Sequence, residues 1–220
     1  ALPFLRKLNR DNSLAWELHE VARFRSQVMD KLSPALRMDL DTPVDAAILA
    51  WHPRTPAHLR FVLSAYAPLL EHIPVRRFLD TLLTDGKTVA LLGRVSPGAW
   101  SALNKSARVW TRVIAEERGM VASERAARGE VRSVLRPWLE SRGPAGFFAD
   151  LAGMTDAAAF DTRVLFAALN LNPGTAERFA ADLLMPDQIR DWRLRAFTEA
   201  AAQAPLPLLM GGHSVVAGGF

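Results

Sequence analysis

At Thr42-Pro43, Thr55-Pro56, Ser96-Pro97 and Asn172-Pro173 of this 220-residue chain a capping side chain stands directly before a proline. A Ser, Thr or Asn oxygen accepts one of the first free amides of a helix, and proline at the first helical position gives up only an N–H that has no partner there. Each pair therefore announces a helix start. Asp11, Asn12 and Ser13 open another, in which Leu14, Leu18, Val21, Phe24 and Val28 keep the spacing of a buried stripe. Further helices are expected at 43–51, 56–72, 74–84, 97–118, 121–136, 156–169, 173–185 and 187–203, with Gly86, Gly119 and Gly143 as stops.

Strand signals are nearly absent. Only Thr88 to Leu92 has the composition of one, and a single short strand makes no sheet. Short loops favour antiparallel neighbours, and the helix pairs follow no fixed repeat period. The expectation is an all-α protein, a compact multi-helix bundle of about nine short-to-medium helices. A composition shift at Gly143-Pro144 separates a charged part, 1–143, from a more apolar part, 144–204. The Gly/Pro-rich stretch 205–220 has no helical period and reads as a tail, loose or pinned across a partner.

With half its residues hydrophobic and 23% charged, the chain has the make-up of a folded domain. It contains no cysteine, which excludes disulfides, thiolate catalysis, iron–sulfur clusters and cysteine zinc sites. The apolar stub Leu2 to Leu5 is broken at once by Arg6, Lys7 and Arg10, and no apolar run approaches the ~18 residues of a membrane span. A cytoplasmic protein is expected, with Ala1 as the residue that follows a removed initiator Met.

Charge is patterned instead of extreme. Residues 105–142 hold nine Lys/Arg against five Glu, a surplus equal to the whole-chain net charge of +4. Lys105, Arg108 and Arg112 step by three and four, as do Arg125, Arg128, Arg132 and Arg136, and on helices such spacing stacks each set along one face. In helix 97–118 these cations fall opposite Trp100, Leu103, Ala107, Trp110 and Ile114; in helix 121–136 they lie beside Ala127, Val131, Val134 and Leu135, with Glu124 and Glu130 flanking and Pro137 ending the helix. The plain alternative is a solvated face whose arginines meet glutamates of their own chain.

Two segments resemble a helix-turn-helix. The stretch Leu91 to Trp100 offers an apolar pair, Gly93, Val95 and a Ser96 cap, after which Ser101, Asn104, Lys105, Arg108 and Arg112 would face nucleic acid. Arg94 adds one residue to the usual spacing. The stretch Leu165 to Phe179 has Asn170 at the turn, where Asn tolerates left-handed backbone, but Phe166 where a small residue is usual.

Catalytic patterns are weaker. His19, His52, His58, His72 and His213 form no metal-binding pair of helical spacing, so neither metal nor cofactor is expected. Asp41/Asp45 and Asp187/Asp191 resemble the paired aspartate motifs of helical prenyl synthases, which hold magnesium against a diphosphate, yet Pro43 keeps the first pair off one helical turn. The tryptophans read mostly as core, with Trp138, two residues after Arg136, and Trp192, directly before Arg193, as exposed anchors for protein partners.

The reading that follows is a non-enzymatic nucleic-acid-binding protein, DNA or RNA, gripping phosphates through Ser101, Asn104, Lys105, Arg108, Arg112, Arg125, Arg128, Arg132 and Arg136. The alternatives are a scaffold subunit that meets proteins through Trp138, Trp192 and the C-terminal tail, and, third, a magnesium-dependent prenyl-diphosphate-type enzyme.

Overall fold

The computed structural model describes residues 39–121 and 123–217, with residue 14 and residues 17–25 before them. Its centre is a sheet, so the all-α expectation is corrected: the fold is α/β. The elements in chain order are α1 (Pro43–Trp51), α2 (Ala57–Ser64), α3 (Ala67–Leu70), α4 (Val75–Leu82), β1 (Thr88–Gly93), α5 (Pro97–Ser106), β2 (Trp110–Ala115), α6 (Arg136–Met154), β3 (Ala157–Asp161), α7 (Arg163–Ala168), α8 (Thr175–Asp182), α9 (Trp192–Ala202), β4 (Leu208–Gly211) and α10 (Ser214–Ala217). The helix expected from Ser13 onward lies largely outside the described residues; Glu17–Val21 form a π-helical turn.

All strand pairs are parallel, in the order β2-β1-β3-β4. Side chains of a strand alternate between faces, and here the alternation divides the core cleanly. Ala90, Leu92, Ala158, Phe160, Leu208 and Met210 pack with α6, α7, α8 and α9, through Phe147, Phe148, Phe166, Leu194 and Phe197. Val89, Leu91, Ala157, Ala159 and Leu209 face the other way, against Val44 and Ile48 of α1, Phe78 of α4 and Val215 of α10. Helices therefore cover both faces, the arrangement that makes parallel strands read as continuous apolar runs.

This explains why three strands escape the sequence pattern. β2 lies inside the helix expected at 97–118, which stops at Ser106. β3 lies inside the one expected at 156–169, and β4 inside the stretch read as a tail. Ala157-Ala158-Ala159 and Leu208-Leu209-Met210 are good helix formers in isolation, and burial between two helical layers overrides that preference. The helix expected at 121–136 is absent as well. Its described residues up to Leu135 are turns, bends and irregular backbone, and Pro137 stands in the first turn of α6 instead of ending a helix. Gly143 interrupts α6 at φ 64°, where its lack of a side chain permits left-handed backbone.

Helix α1 has the expected bounds and shows why. Asp45 Oδ2 accepts from the Thr42 amide at 2.8 Å and hydroxyl at 2.9 Å, and Thr42 Oγ1 accepts in turn from the Asp45 amide, a reciprocal capping box. Removing the hydroxyl in Thr42→Ala is expected to lower unfolding free energy by about 1–2 kcal/mol, with Thr42→Ser recovering most of it in urea titrations.

Candidate anion site at the carboxyl edge of the sheet

In a parallel sheet every strand delivers its last residues to the same edge. The chain goes from β1 outward to β2, then returns past β1 to β3 and onward to β4, so the connections diverge between the carboxyl ends of β1 and β3. Such a divergence opens a crevice, and ligands of open α/β sheets bind there. Gly93 ends β1 at φ 109°, so close to β3 that a Cβ would lie 2.4 Å from the Asp161 carbonyl oxygen.

Each strand contributes a polar residue to this edge. Arg94, following β1, donates through Nε and Nη2 to the two carboxylate oxygens of Asp161 at 2.6 and 3.1 Å, and the Asp161 side chain is fully buried. A bidentate pair of this kind fixes both planes. After β2, Glu116 accepts from Ser133 Oγ at 2.5 Å and from the Val134 and Leu135 amides at 3.4 Å, which holds the 117–135 loop back against the sheet. Met120 and Val131 of that loop pack on Val164 and Ala168 of α7. After β4, the Gly211-Gly212 pair leads to His213, whose Nε2 accepts from Arg118 Nη2 at 2.5 Å.

That bond fixes the imidazole's roles: with Nε2 accepting, the proton of the neutral ring is on Nδ1, a second donor. Burial lowers the His213 pKa, Arg118 and Arg94 lower it further, and Asp161 and Asp39 oppose them incompletely.

Behind the edge lies a second ion pair. Arg163 Nη1 and Nη2 donate to the Asp182 carboxylate at 3.2 and 2.6 Å, with the Asp182 side chain fully buried. Burial pushes the Asp182 pKa up to about 6, the neighbouring Asp45 raises it too, and Arg163 and Arg178 pull against that. Burial likewise raises Asp45, whose Oδ1 has no hydrogen-bond partner among the described residues.

The residues singled out from the sequence are dispersed. Ser101, Asn104 and Lys105 lie on α5, Arg108 in the loop after it, Arg112 on β2, Arg125, Arg128 and Arg132 in the loop that follows, and Arg136 at the start of α6. No helical stripe joins them. Arg108 meets Asp85 at 3.2 Å, Arg125 bonds Glu117, Arg128 meets Glu130 at 2.9 Å, and Arg136 holds Glu140 at 2.8 Å and the Ala168 carbonyl at 2.7 Å. Lys105, Arg112 and Arg132 are exposed and meet no carboxylate among the described residues.

Other candidates have internal roles. Asp191 caps α9 through the Arg193 and Leu194 amides, and Asp45 caps α1, so neither paired-aspartate motif presents its carboxylates together to a ligand. Leu91 to Gly93 lie in a strand, which removes the first helix from one helix-turn-helix candidate; in the other, Asn170 does take left-handed backbone at φ 54°. Trp138, expected to be exposed, packs on Phe147 with ring centres 4.4 Å apart and donates to Asp150, whereas Trp192 is 74% exposed.

Sequence reasoning passed over Arg94, Arg118, Asp161 and His213 as a group. A signal was present: the apolar runs before Gly93-Arg94, Asp161 and Gly211-Gly212-His213 each end abruptly in Gly or Asp, as buried parallel strands do. Among the described residues no helix is long and apolar enough to cross a membrane. No family model, curated protein or solved structure matches the chain.

Proposed function

We propose that the carboxyl-edge crevice binds a phosphate-bearing ligand, with Arg118 as the principal cation and Arg94 and the His213 Nδ1–H beside it. The observation that carries this is the partner of Arg118: it is exposed, and its guanidinium is held by a neutral imidazole instead of a carboxylate. A cation positioned by a neutral acceptor keeps its charge for an incoming anion. The Glu116 anchor supports the reading, because a loop tied to the sheet presents Arg118 with little entropy left to lose. The role is binding, in a cytoplasmic setting.

A nucleic-acid backbone is one source of such phosphates, and the exposed Lys105, Arg112 and Arg132 support that form of the proposal. Exposed Trp192 supports a protein partner as a lesser alternative. Calorimetry with inorganic phosphate and with a single-stranded oligonucleotide, at low and high salt, separates the two phosphate sources. Binding by either is expected to weaken about 10- to 100-fold in Arg118→Ala, the cost of one charge-assisted contact. His213→Gln, which can still accept from Arg118, is expected to lose less. Undiminished binding by Arg118→Ala overturns the proposal.

A further inference from the structure

A separate cleft of 710 Å³ opens among α1, α2, α3 and α4, and its lining is unusual in charge. Arg60, Arg76 and Arg77 contribute three cations against one carboxylate, Glu71, with His72 beside them. Arg60 donates to the carbonyl oxygens of His52, Pro53 and Thr55, neutral acceptors that fix its position without cancelling its charge. Arg76 and Arg77 pair with no carboxylate among the described residues. On the same wall the Arg76 guanidinium lies 6.0 Å from the Trp51 ring centre, and the indole is half-exposed.

We infer that this cleft is a mononucleotide site. Its volume falls within the ~300–1,000 Å³ of ligand pockets, and its surplus of two positive charges matches a phosphate monoester, which carries about −1.5 to −2 at neutral pH, better than a single carboxylate. The indole and guanidinium planes offer a stacking surface to a base, a contact tolerant of base identity. The apolar floor, Leu63, Leu70 and Ile73, supplies burial without polar groups that would need partners. The cleft shares no residue with the carboxyl edge, so the two readings stand or fall separately.

The test is calorimetry with AMP, adenosine and inorganic phosphate, in an Arg118→Ala background that weakens binding at the carboxyl edge. AMP is expected to bind one to one, with adenosine and phosphate each at least about tenfold weaker, since each keeps only one of the two recognition elements. Trp51→Ala is expected to weaken AMP about tenfold, and Arg76→Glu with Arg77→Glu by more, with circular dichroism unchanged because all three residues are exposed. Absence of AMP binding, or AMP binding indifferent to both sets of variants, overturns the assignment.

Discussion

Gly93→Ala is expected to prevent folding or to lower stability by more than about 3 kcal/mol, the range of overpacked and backbone-strained sites combined. Two penalties coincide there. The φ of 109° is one that side chains rarely adopt, and the added methyl would sit 2.4 Å from the Asp161 carbonyl oxygen and 2.7 Å from its Cβ. Neither neighbour is a flexible chain end. The oxygen belongs to β3 backbone, and the Cβ belongs to a side chain clamped by Arg94. Relief would require β1 and β3 to separate at the centre of the sheet. Gly86→Ala is the matching control, because Gly86 has a φ of 77° but open space around it and should lose only about 1 kcal/mol. Equal losses for the two variants in urea unfolding would show that the strand ends are not pressed together.

Arg163→Met is expected to cost about 3–5 kcal/mol at pH 8, because it strands the Asp182 carboxylate in the interior without its cation. The loss should shrink markedly at pH 5, where the stranded acid takes a proton. The sign for the wild type follows from the same group. Asp182 titrates near 6 in the folded chain against an ordinary 3.8, so the native state holds the extra proton between those values. Stability from this group is therefore greatest below about pH 4 and declines as pH rises through 6, by roughly 3 kcal/mol in all. Glu130, Asp150 and Asp156 behave oppositely. Hydrogen bonds from Arg128, Arg142 and Lys87 hold their pKa values down, so what they contribute is lost on acidification. The informative quantity is the pH slope of stability in wild type minus that in Asp182→Asn. A flat difference between pH 4 and 7 would refute a raised Asp182.

How much of this could be read beforehand varies with how local the cause is. Helix α1 was legible because its start is set within four residues by Thr42, Pro43 and Asp45. β1 was recognisable in composition but had no visible partners. β2 carries Trp110, Thr111, Val113 and Ile114, all at home in strands, yet the regular steps from Lys105 to Arg112 imitate a helix face. The three alanines of β3 give no local strand signal at all; what selects them is room for helical layers on both sides, a property of the assembled fold. The paired state of most of the arginines was half legible, since Glu124 and Glu130 stand beside them. The His213 and Arg118 pair was not, because it joins residues from opposite edges of the sheet.

Strand β4 has its own consequence for synthesis. It is entirely buried, and among the described residues it is the last strand and pairs with β3 alone. Three helices are made between the two, so an emerging polypeptide displays the unpaired margin of β3 long before the piece that covers it leaves the ribosome. Delayed long-range pairing of this kind slows folding in general and leaves the intermediate open to aggregation while the chain is being made.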